Sequence, residues 1–169
     1  NSDLKKIDHI ILPGVGSFDS AIKLLWESNL VQEIEYLVFN KKIPILGVCV
    51  GLQIMTRNSD EGIMKGLGWL DADVKLIKTI KNLPLPHMGW NEISISRENP
   101  LLKGLNNSRF YFLHNYYLCM DNVHDQIATT EYGDVITSAI SNNNIYGCQF
   151  HPEKSHSGGL KILENFAKI

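Results

Sequence analysis

Ile43-Pro44-Ile45-Leu46-Gly47-Val48-Cys49-Val50-Gly51-Leu52-Gln53 decides the reading of the fold. Ile43 to Val48 is a short apolar run bounded by a turn signal, as a buried strand is, and a helix is expected to start near Gly51. A glycine on each side of Cys49 is what a sharp strand-to-helix elbow needs, because side chains there would collide with the neighbouring backbone. Such an elbow lifts the central side chain out of the sheet and into a cleft. It also sets Cys49 at a helix N-terminus, where free N–H groups and the helix dipole favour thiolate over thiol. The backbone N–H of Val50 would then point at an oxyanion formed on an attacked carbonyl. The competing reading, a small buried hydrophobe, suits most cysteines, but the flanking glycines weigh against it here. Cys119 and Cys148 lie in alternating segments without such glycines, so core packing is expected of both.

The rest of the chain builds outward from this elbow. Ile7 to Leu12 reads as a buried strand stopping at Pro13-Gly14-Val15-Gly16. Ser17 then caps a helix that carries Phe18, Ile22, Leu25 and Trp26 on one face. A second helical stretch has Val31, Ile34, Leu37 and Val38, and Lys41-Lys42 ends it. Strands alternating with helices argue for a parallel sheet covered on both faces. The second half differs. Leu70, Ala72, Val74 and Leu76 alternate with polar neighbours, the period of a half-exposed strand. Short segments of the same kind recur at 93–95, 109–118, 127–130, 136–140 and 145–150. Leu160, Ile162, Leu163 and Phe166 form a closing amphipathic helix. The expected fold is α/β in one domain, a mostly parallel central sheet flanked by helices with antiparallel strands added in the second half.

Composition narrows the function classes. The 169 residues are 44% hydrophobic and 20% charged, ordinary for a globular domain with a sizeable core. A formal net charge of -2 gives no reason to expect nucleic acid or an anionic membrane as partner. The most apolar stretch, Ile43 to Met55, is too short and too interrupted to span a bilayer. No secretory leader pattern is visible, and three spaced cysteines suggest reduced thiols in a cytoplasmic protein. No Cys or His pair has metal-ligand spacing, so no metal is expected.

A thiol nucleophile needs a histidine to move its proton, and the histidine needs an acceptor to fix its tautomer. His151-Pro152-Glu153 supplies both directly after the strand ending at Phe150. Positions i and i+2 of an extended segment project to one side, and Pro152 fixes φ between them. Glu153 can therefore contact one ring nitrogen of His151 while the other faces Cys49. Of the remaining histidines, His9 reads as structural and His124 and His156 as solvated loop residues. His87 and His114 suit the cleft wall but show no proton-transfer partner in sequence.

These residues resemble class I, triad-type glutamine amidotransferases through Gly47-Val48-Cys49-Val50-Gly51-Leu52-Gln53 and His151-Pro152-Glu153. Within that family the chain is most similar to the glutaminase subunits of imidazole glycerol phosphate synthases. That likeness rests on Pro13-Gly14-Val15-Gly16-Ser17-Phe18, Pro86-His87-Met88-Gly89-Trp90-Asn91 and Gln149-Phe150-His151-Pro152-Glu153-Lys154-Ser155. The resemblance implies Cys49 as nucleophile, His151 as acid and base, and Glu153 as its orienter. It implies an oxyanion hole from the backbone of Val50 and of Val15 or Gly16. It assigns L-glutamine binding to Gly14, Gln53, Glu61 and the backbone around Asn115 and Tyr116, where Asn115 stands in place of the commoner Ser or Thr. Trp90, Tyr111 and Lys154 would face a synthase (cyclase) subunit that receives ammonia in a heterodimer, and no cofactor is implied. Family members usually begin with a further strand, Gly-rich turn and helix, so the domain over 1–169 is read as lacking them. Related amidotransferases serve the amidation of surface sugars, and the glutaminase motifs do not separate that pathway from histidine biosynthesis. Two other readings stay open from the residues: a cysteine hydrolase acting on peptides, and a non-catalytic binding module on the same fold.

Overall fold

The computed structural model describes residues 7–78 and 83–169. The first strand, β1 (Ile10–Gly14), is followed by α1 (Phe18–Glu27), whose Ser17 cap accepts from the Ser20 N–H. Next come α2 (Val31–Glu35), a π turn at Tyr36–Asn40, and β2 (Ile45–Cys49), all five residues of which are buried. The elbow follows, then α3 (Val50–Gln53), β3 (Asn58–Ser59) and β4 (Ala72–Leu76). The second half holds β5 (His87–Glu92), β6 (Ser94–Ile95), β7 (Arg109–His114), β8 (Tyr116–Met120), β9 (Gln126–Tyr132), β10 (Asp134–Asn142) and β11 (Ile145–Cys148). Helix α4 (His156–Phe166) closes the chain.

The central sheet has the order β1-β2-β11-β10-β9-β6. Its parallel core, β1-β2-β11, carries the near-continuous apolar runs that such strands need, and β10, β9 and β6 extend it antiparallel. The expected α/β division is therefore present, with the antiparallel strands drawn from the second half. Two smaller sheets stand beside it, β3-β4-β8 and the β5-β7 ribbon, so the stretch 109–118 is two strands serving different sheets.

The core joins Phe18, Ile22, Leu46, Leu52 and Met55 on the elbow side with Phe110, Phe112, Phe150, Ile162 and Phe166. Phe150 stacks on Phe110 at 4.1 Å and meets Phe112 edge-on at 5.7 Å, fixing the chain just before His151 against β7. Each such aromatic pair adds about 0.5–1.5 kcal/mol beyond the area it buries. Two helix faces differ from the sequence expectation. Trp26 is 51% exposed on α1 and Leu160 60% exposed on α4. On both helices the buried stripe is narrower than the apolar one: Phe18 and Ile22 on α1, Gly159, Ile162, Asn165 and Phe166 on α4. Leu76, at the end of β4, is likewise 44% exposed. Among the described residues no helix is long and apolar enough to cross a membrane.

Candidate active site

Strands β2 and β11 are neighbours, parallel and in register, Val48 opposite Cys148. Both chains therefore leave the sheet at the same carboxyl edge, where open α/β sheets bind their ligands. Cys49 leaves β2 there, and Gln149, Phe150 and His151 leave β11.

Cys49 sits at φ 53°, ψ -116°, a conformation that costs a non-glycine residue about 1–3 kcal/mol. The surrounding glycines make the turn possible. A Cβ on Gly51 would collide with the Leu12 carbonyl oxygen, and one on Gly47 would stand 2.6 Å from Leu52 Cα. Cys49 is 4% exposed. Burial pushes its thiol up to about 11, with the Val50 backbone N–H pulling the other way. Burial thus works against the thiolate that a helix N-terminus favours, and α3 here has only four residues.

His151 Nδ1 lies 2.7 Å from Glu153 Oε1. A carboxylate accepts, so Nδ1 carries the hydrogen and Nε2 is the free base. The pair is held by a local frame: the His151 N–H donates to the Tyr111 carbonyl (2.9 Å), and the Ser155 hydroxyl donates to the His151 carbonyl (2.6 Å). Among the described residues His151 Nε2 is buried without a hydrogen-bond partner and makes no hydrogen bond to Cys49 Sγ. The expected nucleophile–base bond is therefore open here, as it often is before substrate binds.

Cys49 and His151 line one cleft of about 250 Å³ with Val50, Val15, Gly16, Gln53, Glu61, Asn115, Tyr116 and Lys154. That is small beside ordinary ligand pockets of about 300–1,000 Å³ and suits a single amino acid. Of the residues predicted to bind glutamine, Gly14 alone does not line it. It packs instead against the backbone at Val50 and Gly51, where any side chain would collide. Glu61 is anchored by the Phe18 N–H, which donates to Oε2 at 2.7 Å. Gln53 is turned inward: its Nε2 donates to the Tyr116 carbonyl and to Gln149 Oε1, both at 3.1 Å.

Trp90, Tyr111 and Lys154 form a separate cluster at the cleft mouth, of which only Lys154 lines the cleft itself. Trp90 is 6.3 Å from Tyr111, whose ring lies 5.7 Å from Lys154 Nζ. Trp90 and Tyr111 pair across the β5-β7 ribbon, and Met88 pairs with Leu113 on the same outward face, both exposed. His156, expected to be solvated in a loop, opens α4 and stacks on Trp90 at 5.1 Å.

Three further readings are corrected or completed. Cys119 is exposed on β8 rather than packed in the core, whereas Cys148 is fully buried. His87 and His114 do have partners, namely each other: His87 Nδ1 and His114 Nε2 are 2.9 Å apart. Burial holds the two imidazoles down to about 4 and about 3, so both are neutral at pH 7. Gln149, which sequence reasoning passed over as a site residue, directs its Nε2 to Cys49 Sγ at 3.7 Å. His9 is half-buried with its ring edge-on to Phe166 at 5.3 Å, and His124 is exposed in a turn. Among the described residues no cluster of three or more His, Cys, Asp or Glu side chains is placed to hold a metal ion.

Known proteins resemble the chain in sequence and in fold. The chain is 48% identical over 171 aligned positions to the imidazole glycerol phosphate synthase subunit HisH of Leptospira borgpetersenii, covering 99% of this chain and 84% of that protein. To the subunit HisH 2 of Methanococcus maripaludis it is 46% identical over 166 positions, covering 98% and 82%. The structure of PurLQS from Thermotoga maritima superposes with a TM-score of 0.70 at 16% identity, over 97% of this chain and 80% of that one, a likeness of fold alone. The family model described as glutamine amidotransferase class-I matches residues 1–169. A cysteine at a strained elbow, sharing one cleft with a carboxylate-held histidine that follows the neighbouring strand, is thus carried on a sequence that belongs to the class-I glutamine amidotransferase family.

Proposed function

We propose that the chain is a glutaminase that hydrolyses L-glutamine to glutamate and ammonia and hands the ammonia to a synthase subunit, that of imidazole glycerol phosphate synthase in histidine biosynthesis. The observation that carries this reading is the convergence of Cys49 and the His151–Glu153 pair at one carboxyl sheet edge. The near-full-length identity to HisH subunits favours histidine biosynthesis over sugar amidation. A cytoplasmic setting, where the three free thiols stay reduced, belongs to the same reading.

The chemistry follows from the geometry. Because the resting group is a thiol, His151 Nε2 takes its proton as Sγ attacks the side-chain amide carbon of glutamine. The oxyanion meets the Val50 N–H and the backbone at Val15 or Gly16. The intermediate collapses as His151 returns the proton to the leaving nitrogen, releasing ammonia and leaving a glutamyl thioester. Water then attacks with His151 as base, and glutamate leaves as the sulfur recovers the proton. Glu153 holds the Nδ1–H tautomer throughout and stabilises the imidazolium. Gln53 Oε1 and the Glu61 carboxylate are acceptors for the substrate α-ammonium, and backbone N–H groups at Asn115 and Tyr116 suit its carboxylate.

The partner would seat on the outward face of the β5-β7 ribbon, where Trp90, Tyr111 and Lys154 stand beside exposed Met88 and Leu113. Large, part-polar aromatics are the residue types that anchor interfaces. The single-domain reading over 1–169 is kept as part of this proposal. The test is Cys49→Ala, which should fold normally and release no glutamate from glutamine; near-normal turnover would sink the reading.

A further inference from the structure

One buried amide near the nucleophile plays no part in the chemistry described so far. Gln149 is wholly buried, and its Nε2 lies 3.7 Å from Cys49 Sγ. The two ends of a side-chain amide are chemically opposite, so what faces the sulfur depends on which way the amide is turned. Here a line of hydrogen bonds leaves one choice.

The line starts at the Tyr116 carbonyl, a backbone oxygen that can only accept. The Gln53 group 3.1 Å from it must therefore be the NH₂, and the second hydrogen of that NH₂ faces Gln149. Gln149 must answer with its oxygen, which turns its own NH₂ onto Cys49 Sγ. The reverse setting would press two acceptor oxygens together at Tyr116 and again leave both amides frustrated. The same carbonyl also fixes His114, whose Nδ1, 2.8 Å away, must donate. A neutral His114 then accepts at Nε2 from His87 Nδ1, and His87 Nε2 accepts from Asn91 Nδ2 at 3.2 Å. Asn91 Nδ2 in turn donates to the Glu131 carbonyl. Each contact along the line pairs a donor with an acceptor, with both histidines neutral.

We propose that Gln149 is a further catalytic residue whose amide N–H steadies the sulfur of Cys49 as it gains negative charge, with Gln53 and His114 as the positioning residues that keep the N–H turned toward it. The inference rests on the assignment of Cys49 as nucleophile. Its physical need is plain: a thiol this deeply buried leaves an anion with few donors, and besides the Val50 N–H the one side-chain donor to Sγ among the described residues is Gln149. A hydrogen bond to a charged group is stronger than one to a neutral group, so the contact tightens as charge develops.

The test uses the full chain with Cys119→Ser, which removes the exposed competing thiol. The pH dependence of Cys49 alkylation by iodoacetamide reads the thiol's apparent pKa without a partner, and glutamine turnover is followed in parallel. Gln149→Met keeps the length and loses the donor. It should raise the apparent pKa by about one unit and lower kcat roughly 10- to 100-fold, the effect of deleting one charged hydrogen bond. Gln149→Glu keeps the acceptor for Gln53 and places an oxygen against the sulfur, so it should raise the pKa further. If the Met variant melts below the assay temperature, the Glu variant carries the test. A Cys49 titration unchanged in the folded variant overturns the proposal, as does a shifted titration with unchanged turnover. Normal turnover by Cys49→Ala would instead overturn the nucleophile assignment, and the alkylation profiles would still report on the contact.

Discussion

The carboxyl edge of β2 and β11 and the β5-β7 ribbon both bring histidine to the cleft, yet the two regions use it in opposite ways. His151 has one nitrogen on a carboxylate that is 54% exposed and the other without a partner among the described residues. His114 spends both nitrogens inside the protein, one on the Tyr116 carbonyl and one on His87. A base must keep a lone pair vacant and a charge partner near; a positioning group must do neither. Burial alone does not distinguish them, since His151 is 3% exposed and His114 6%. The hydrogen-bond ledger of each ring does.

The sharpest way to break the comparison is at the nucleophile that only one region serves. Cys49→Ala should lower glutamine hydrolysis by about 10⁴-fold or more, read as glutamate release. Next come the histidines themselves. His151→Asn keeps a donor toward Glu153 and loses the base, so turnover should fall about 10³-fold. His114→Asn keeps a donor toward the Tyr116 carbonyl, so its loss should stay under about tenfold; equal losses for the two would erase the distinction drawn here.

A third effect is on stability. The folded state holds His87 and His114 at about 4 and about 3, below the free value of 6.5. Between those values the unfolded chain binds more protons than the native one, so stability falls as pH drops below about 6.5. Each histidine contributes a slope approaching about 1.4 kcal/mol per pH unit in that window. Melting curves from pH 7 to pH 5 should show the fall, and His114→Asn should flatten it by about one proton's worth. The smallest effect belongs to the ribbon's outer face. Lys154→Glu should weaken binding of the synthase subunit by about tenfold, measured by calorimetry.

Much of this was legible locally. The elbow and the His151-Pro152-Glu153 segment each declare themselves within a few residues, because the strained turn demands glycines and the tautomer demands a nearby acid. What sequence could not show is pairing across sheets. Gln53 and Gln149 are 96 positions apart, and His87 and His114 belong to strands whose register no local pattern fixes. Cys119 was misplaced for a simpler reason. Alternation says that neighbours point oppositely, and with Leu118 buried against β4 it follows that Cys119 faces solvent. Gln53 was assigned to substrate by motif alone; its NH₂ is spent inside the protein, which leaves its oxygen for that role.

The central claim, that Cys49 is the nucleophile of a glutaminase, is tested most directly by peptide-resolved mass spectrometry after treatment with a glutamine-like electrophile. Cys148 is sealed in the core and Cys119 is exposed outside the cleft that Cys49 lines, so geometry separates the three thiols. The account predicts one adduct, on Cys49, slowed by added glutamine and accompanied by loss of hydrolysis. Labelling of Cys119 at the same rate, or full glutamine turnover by a chain already modified at Cys49, would contradict it.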